Sequence, residues 1–270
     1  MSTPPASSFA AFKLPTCESA WIPADVDLRI PETASIDTSL LHYLVYIPWS
    51  DRYLGLVPPD YRDFFQFVIP YLHVRTTDVH VAICLSFVHE LIRAERDPMD
   101  DRVVNLAFIL HDTGWSQMTE QEIADSFGVA GLALSGAAVN PKARHVELGR
   151  DLAHRLLREY QFQPPLTESQ KDEIDQAILY HDRPQQLATM ANLPSSIRVV
   201  CDVDHLWSFT HENFWQDTVR KDVDPRRYLE NLEKDLDGYF VAEPGKRKAR
   251  QMLEARRIEV TSWEAWIERH

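Results

Sequence analysis

The chain has 270 residues, a formal net charge of −13, and 44% hydrophobic and 26% charged residues. This composition is typical of a folded globular protein and excludes a largely disordered chain. A net charge of that sign repels nucleic-acid polymers and anionic membranes, so we expect neither as a partner and expect a small-molecule ligand instead.

The sequence also indicates a cellular location. The three cysteines, Cys17, Cys84 and Cys201, are far apart and odd in number, so they predict neither a disulfide framework nor a thiol-rich metal site. The first residues lack the pattern of a secretory signal, and no apolar run is long enough to cross a membrane. We therefore expect a cytoplasmic protein.

The predicted elements are helical. Residues 1–37 are rich in Pro, Ser and Ala without sustained periodicity, which predicts an extended N-terminal arm. Residues 38–270 are predicted to form a single helical domain that begins with short helices. Apolar residues then recur at helical spacing in the segments 79–93, 101–110, 145–160, 167–180, 196–209, 225–239 and 246–267. Because no segment shows the alternation of a sheet, the sequence predicts an all-α fold.

The connection over residues 113–144 differs from the helices around it, because it contains four of the eight glycines. A glycine-rich connection of this length inside a helical domain is often a lid over an active site. Two interpretations stay open for residues 128–136, a lid and a simple flexible connection.

Six ionisable side chains fall on the apolar faces of five predicted helices, namely His80, His111, Asp112, His145, His181 and Asp204. Burial of an unpaired charge is costly, so independent burial on five helices is improbable. Convergence on a shared cation explains the pattern, and this donor set suits Zn, Mn or Fe better than Ca. The six can hold two ions if Asp112 bridges them. Asp202 is an alternative to Asp204, although it lies nearer the edge of the apolar stripe.

The order of these residues resembles the HD superfamily of metal-dependent phosphohydrolases. The segments that carry the resemblance are LAFILHDTGW at 106–115, RHVELGRDLAHRLL at 144–157, AILYHD at 177–182 and DVDHL at 202–206. The first is similar to the family's apolar helix that ends in His-Asp-x-Gly, and the others are similar to its helices with the further His and Asp positions. The resemblance covers about residues 75–210 and is specific as an ordered set.

The resemblance implies an HD-type helical bundle with extra N- and C-terminal helices, and a metal-dependent hydrolase of a small phosphate ester or nucleotide. The side chains implied to ligate one ion are His80, His111, Asp112 and Asp204. The additional positions of members that hold two ions correspond to His145 and His181. Many members carry a lysine soon after the glycine of the motif, whereas this chain has Trp115.

The hydrolase hypothesis assigns further roles. Asp112 would bridge the ions and orient the attacking water, and Asp182 would orient the centre or accept a proton. A phosphate also needs cationic contacts, for which arginine is well suited. The candidates by sequence position are Arg75, Lys142, Arg144 and Arg183.

Two other functions stay open. Some relatives with the same six-ligand pattern are mixed-valent di-iron oxygenases that cleave C–C or C–P bonds with dioxygen, and the missing lysine makes this the alternative reaction class. In a third hypothesis the ion only braces the helices, or the domain senses a ligand. The arm before residue 38 can also contribute to a homo-oligomer contact.

Overall fold

A computed structural model describes residues 8–15, 19–32, 35, 37–126 and 141–270. Over these residues the chain is predominantly α-helical, which confirms the predicted all-α fold. The elements are β1 (Phe9–Lys13), β2 (Ser19–Pro23), α1 (Asp51–Leu54), α2 (Arg62–Val68), α3 (Thr77–Ala94), α4 (Asp101–Leu110), α5 (Glu120–Asp125), α6 (Pro141–Glu159), α7 (Glu168–Tyr180), α8 (Pro184–Leu187), α9 (Ser195–Leu206), α10 (His211–Arg220), α11 (Pro225–Tyr239) and α12 (Glu243–Ile267). Short 3-10 helices cover Thr38–Leu44, Pro59–Tyr61, Ile69–Tyr71, Thr113–Gln117 and Trp207–Phe209. None of the described helices is both long and apolar enough to cross a membrane.

Four helices, α3, α4, α7 and α9, pack against one another and form the centre of the molecule. α4 is the most apolar of them, and every residue of 103–110 is buried. Asp100 begins this helix by accepting a hydrogen bond from the backbone of Arg102 (2.9 Å), and such a cap stabilises a helix by about 1 kcal/mol. α7 begins with a capping box between Thr167 and Gln170. Local capping residues thus set where the core helices begin.

The segment predicted as an extended arm contains a pair of antiparallel strands, in which Phe9 lies opposite Pro23. Phe9 is buried, and the centre of its ring lies 6.0 Å from that of Trp215 and 5.6 Å from that of Trp266. The strand pair therefore packs on α10 and α12 through aromatic contacts. The sequence analysis did not predict this pairing, because the strands are short and lack a clear alternation.

Helix α10 is absent from the predicted elements. Only Phe214, Trp215 and Val219 are strongly apolar among its ten residues, so a single pair four residues apart, Trp215 and Val219, marks its apolar face. Phe214 and Trp215 are fully buried. The hydroxyl of Thr210 caps the helix by accepting a hydrogen bond from the backbone of Asn213 (3.2 Å). Tertiary packing and a cap therefore stabilise this helix, whose apolar pattern is too short to predict it.

The structure describes the glycine-rich connection only in part. Residues 113–126 form a 3-10 helix and α5, whose first turn is closed by a capping box between Thr119 and Glu122. The segment 128–136, for which a lid or a flexible connection was predicted, lies outside the described residues.

Candidate metal centre

The six predicted ligands meet in one cluster, although they come from five helices. His80 and His145 lie near the starts of α3 and α6, whereas the His111–Asp112 pair and His181 directly follow α4 and α7. Asp204 lies near the end of α9. The four histidines are each at most 5% exposed, so a polar centre lies inside the helical core.

The first part of the cluster, the His80 group, consists of His80, His111, Asp204 and one oxygen of Asp112. Asp204 Oδ1 lies 3.3 Å from Nε2 of His80 and 3.3 Å from Nε2 of His111. Asp112 Oδ2 lies 3.5 Å from Nδ1 of His80 and 3.6 Å from Nε2 of His111. Two ligands that are each about 2.1 Å from one ion lie about 3.0–3.5 Å apart. These spacings fit a metal site in which His80 would bind through only one of its two ring nitrogens, since one imidazole cannot give both to the same ion.

The second part, the His145 group, consists of His145, His181 and the other oxygen of Asp112. Asp112 Oδ1 lies 3.4 Å from Nε2 of His145 and 3.7 Å from Nε2 of His181. The two Nε2 atoms are 3.2 Å apart. The two oxygens of Asp112 thus face different groups, which is the position of a carboxylate that bridges two ions.

The orientation of the imidazoles shows that these residues fit a cation. Nδ1 of His111 lies 2.7 Å from the carbonyl oxygen of Phe108, and Nδ1 of His181 lies 2.7 Å from that of Ile178. Each Nδ1 must donate its proton to the carbonyl, so Nε2 of the neutral ring carries a lone pair. In His111 this lone pair faces Asp204 Oδ1, and two lone pairs repel unless a proton or a metal ion lies between them. Four imidazoles and two carboxylates are a donor set for Zn, Mn or Fe.

The charges of the cluster favour a cation as well. Burial would raise the pKa of Asp112, but the neighbouring histidines, His111 first, outweigh burial and hold this pKa well below its usual range. The pKa of Asp204 is lowered for the same reason. Burial lowers the pKa of His80, but hydrogen bonds and charges from both carboxylates outweigh it and raise this pKa to about 9. Burial, with the charge of His111, lowers the pKa of His181 to about 4. The two carboxylates thus draw positive charge into the cluster, and a divalent ion can supply it in place of protons.

Two glycines let α6 approach the turn that follows Asp112. A Cβ atom at Gly114 would lie 1.9 Å from the carbonyl oxygen of His145 and 2.6 Å from the backbone nitrogen of Gly149. No side chain fits this space, so a glycine is required where the 3-10 helix at 113–117 touches α6. This contact places His145 beside Asp112.

Asp202, the alternative ligand, points away from the cluster. Its carboxylate accepts hydrogen bonds from the backbone N–H groups of Val241 (2.7 Å) and Ala242 (3.0 Å) at the start of α12. Burial raises its pKa to about 7, and a Cβ atom at Gly245 would lie only 2.4 Å from Oδ2. The structure therefore places Asp204 at the cluster, while Asp202 anchors α12.

A cavity of about 430 Å³ opens beside the cluster, and every predicted ligand except His111 lines it. This volume is in the range of small-molecule sites. The basic residues of its wall are Arg75, Lys142, Arg220 and Lys221, and the aspartates are Asp112, Asp182, Asp204 and Asp217.

The predicted cationic contacts divide into two pairs. Arg75 and Lys142 line the cavity, and Lys142 Nζ lies 3.1 Å from Oδ2 of Asp182 on the same wall. Arg144 instead forms an ion pair with a carboxylate of α5 (3.2 Å), and Arg183 directly precedes α8. Within the described part of the chain, Arg144 and Arg183 are not among the lining residues.

The wall that α10 provides was missed by the sequence analysis. Asn213, Asp217 and Arg220 have the spacing i, i+4 and i+7, so they share one face of this helix. Lys221 Nζ and the hydroxyl of Tyr228 both donate to Asp217 Oδ2 at 2.7 Å. The spacing of Asn213, Asp217 and Arg220 could have indicated this polar face if the sequence analysis had recognised the helix. Other lining residues to which the sequence analysis gave no role are His205, Trp207 and Tyr239.

Comparison of the chain with protein-family models, with curated proteins and with solved structures found no match. The structure by itself establishes a helical protein in which buried His and Asp side chains form groups that can hold a metal ion. Three of these groups are drawn from the predicted ligands, namely His80–His111–Asp112, His111–His181–Asp204 and Asp112–His145–His181. A fourth consists of Asp182, Asp204 and His205.

Proposed function

We propose that this protein is a metal-dependent hydrolase of a small phosphate ester or nucleotide, with a centre for two divalent ions of Zn, Mn or Fe. The division of the six ligands by Asp112 into the His80 group and the His145 group supports two ions. The order of these ligands along the chain resembles that of the HD superfamily, in which phosphate-ester hydrolysis is common.

The observation that carries the substrate class is the charge of the cavity. In the described residues its wall has as many basic side chains as aspartates, four of each. Two divalent ions would therefore give the space of about 430 Å³ an excess of positive charge. A small anion of the size of a phosphate ester or nucleotide complements such a field.

Divalent ions supply Lewis acidity, which ionises water near neutral pH and neutralises charge on a phosphoryl group. The chain's own residues do the positioning. Asp112 holds the two ligand groups together, and Arg75 presents a guanidinium that can contact two phosphoryl oxygens. Asp182 faces the cavity with a side chain that is 21% exposed, so it is placed to accept a proton from water.

The test is hydrolysis by protein that has been freed of metal and reconstituted separately with Mn, Fe, Co, Ni or Zn. We expect turnover of at least one phosphate monoester, diester or nucleotide in a panel. Asp112→Asn is expected to abolish it, and Asp182→Asn to lower kcat by about 10²-fold or more while metal content is kept. The exposed carboxylate of Glu168, at the start of α7, offers a control, and Glu168→Gln is expected to keep the wild-type rate.

Absence of turnover with every metal and substrate would contradict the hydrolase. If the iron-loaded protein instead consumes dioxygen in a substrate-dependent way and shows an electron paramagnetic resonance signal from coupled Fe(II) and Fe(III), it is an oxygenase. If chelation melts the fold and no substrate reacts, the ion has a structural role.

A further inference from the structure

Trp115 lies in the middle of a three-layer stack beside the metal cluster. Its indole is buried, and its ring centre lies 4.1 Å from that of His145 with an angle of 11° between the planes. On the opposite face, the guanidinium carbon of Arg75 lies 3.9 Å from the indole centre. The edge of the same ring donates a hydrogen bond from Nε1 to Asp112 Oδ1 (2.9 Å).

These contacts fall on one half of the cluster. Oδ1 is the oxygen of Asp112 that faces His145 and His181, whereas Oδ2 faces His80 and His111. Trp115 thus contacts two of the three members of the His145 group: its ring stacks on His145, and its N–H donates to Asp112. The corresponding aromatic neighbour of the His80 group is a different tryptophan, Trp207, whose ring stacks on His80 at 5.0 Å.

The ring of His145 lacks the backbone hydrogen bond that His111 and His181 have. Nδ1 of His111 and Nδ1 of His181 are each fixed by a backbone carbonyl at 2.7 Å. Nδ1 of His145 is buried and has no hydrogen-bond partner among the described residues. Stacking on Trp115 is therefore the contact that sets the plane of this imidazole, and with it the direction of Nε2.

The indole is itself held in place. Arg75 adopts a φ of 57°, in the left-handed region that side chains disfavour, and Arg220 Nη2 donates to its carbonyl oxygen (3.2 Å). The backbone thus places the guanidinium over the indole, where a cation is attracted to the ring face.

We propose that Trp115 is a positioning residue that sets the affinity of the His145 group for its divalent transition-metal ion, by fixing the rotation of the Asp112 carboxylate and the plane of His145. The proposal rests on the two-ion centre of the proposed function, but not on the reaction catalysed there. It also gives a role to the residue that stands where the family resemblance places a lysine.

The test is a calorimetric titration of metal-free protein with Zn²⁺ and, separately, Mn²⁺. The wild type is expected to bind two ions in two steps. Trp115→Phe keeps a stacking ring but removes the N–H donor, so we expect one step weakened by about 10–100-fold and the other unchanged, as for other groups that orient metal ligands. Trp207→Phe is the matched variant, because it alters the tryptophan on His80. It is expected to leave unchanged the step that Trp115→Phe weakens.

Three results would overturn the proposal: Trp115→Phe with both wild-type steps, Trp115→Phe with both steps weakened equally, or a wild type that binds one ion only. A wild type with two steps, a selective effect of Trp115→Phe and no hydrolysis would refute the proposed reaction and leave the role of Trp115 intact.

A second measurement covers a variant that does not fold. The wild type labelled with ¹⁵N-tryptophan gives indole N–H signals from its seven tryptophans. Two of them, from Trp115 and Trp215, are expected to resist exchange with solvent, because each is bonded to a buried carboxylate. One of these two signals is expected to shift as Zn²⁺ is added, because Trp115 contacts the His145 group, and the other is expected to stay unchanged. If neither exchange-resistant signal responds to Zn²⁺, the proposal is refuted.

Discussion

Two of the buried polar clusters among the described residues differ in how their carboxylates are satisfied. In the Glu259 cluster, formed by Glu259, His211, Trp215 and Arg256, both carboxylate oxygens accept hydrogen bonds from N–H donors. Nδ1 of His211 and Nε1 of Trp215 lie 2.9 Å from Oε2, and Arg256 Nη2 donates to Oε1. In the metal cluster, by contrast, Asp204 Oδ1 faces an imidazole nitrogen that has no proton to give when the ring is neutral.

The difference separates a structural network from a ligand site. Both clusters are buried, so burial alone does not distinguish them. A buried carboxylate surrounded by donors is satisfied within the protein, whereas lone pairs directed at one another need a proton or a metal ion from outside. The Glu259 cluster should therefore control stability, and the metal cluster should control ion binding.

The largest effect is expected at the Glu259 cluster. Glu259→Gln removes the negative charge beside buried Arg256 and is expected to lower the free energy of unfolding of the metal-free protein by about 3–5 kcal/mol, measured by urea denaturation. Glu254→Gln, an exposed carboxylate on the same helix, should change it by less than about 0.5 kcal/mol. Metal content should be unchanged in both. If Glu259→Gln lowers the free energy of unfolding by less than about 1 kcal/mol, the distinction between the Glu259 cluster and the metal cluster is contradicted.

The opposite pattern is expected at Asp112, whose two oxygens face different ligand groups. Asp112→Asn should weaken ion binding by about 100-fold or more, so it should lose about 2.7 kcal/mol of the stabilisation that saturating Zn²⁺ gives the wild type. Thermal unfolding with and without Zn²⁺ measures this difference. If Asp112→Asn were stabilised by Zn²⁺ as strongly as Glu259→Gln, the account of the metal cluster would be wrong.

Gly114→Ala tests the close approach of α6 that brings His145 to Asp112. The added Cβ would lie 1.9 Å from the carbonyl oxygen of His145, so the backbone must move, at a cost of about 1–3 kcal/mol and with weaker binding at the His145 group. Gly238→Ala is the control, because a Cβ there meets nothing within 4 Å. It should stabilise α11 by about 0.5–1 kcal/mol. If the two substitutions have equal effects on denaturation and on metal titration, Gly114 is not what allows α6 to place His145 beside Asp112.

A smaller effect concerns pH. Burial lowers the pKa of His211, and the positive charge of Arg256 lowers it further. The carboxylates of Glu259 and Asp25 outweigh both effects, so this pKa lies above its ordinary value near 6.5. The charged imidazole therefore stabilises the fold fully below about pH 6.5, and this contribution is lost as pH rises through the folded-state pKa. Urea denaturation should show that the wild type has a larger free energy of unfolding than His211→Gln at low pH. This difference should fall by about 1 kcal/mol as pH rises through the folded-state pKa of His211. A pH-independent difference would contradict it.

The meeting of the six side chains in one cluster could be predicted from the sequence because each interrupts an apolar helical stripe. For Asp202 and Asp204 the same signal is ambiguous, since both lie on buried turns of α9. The structure separates them by what they meet, the start of α12 for Asp202 and two histidines for Asp204.

The cavity wall could not be predicted in the same way. Asp217 and Arg220 belong to α10, whose apolar face is marked by one pair of residues four apart, Trp215 and Val219, which is too short a pattern to predict a helix. The sequence analysis noted Trp115 only because many members of the similar family carry a lysine near this position. The proposed role of Trp115 depends on contacts with Arg75 and His145, which are distant in sequence. Contacts between distant segments leave no periodic signal.

Crystals soaked with Zn²⁺ or Mn²⁺, with diffraction measured at the metal absorption edge, test the central claim most directly. The account predicts two anomalous peaks per chain on opposite sides of Asp112, each within about 2.3 Å of its ligand atoms. One should lie among His80, His111 and Asp204, and the other between His145 and His181. A single peak would contradict the two-ion centre, and the absence of any peak in the cluster would contradict the metal site itself.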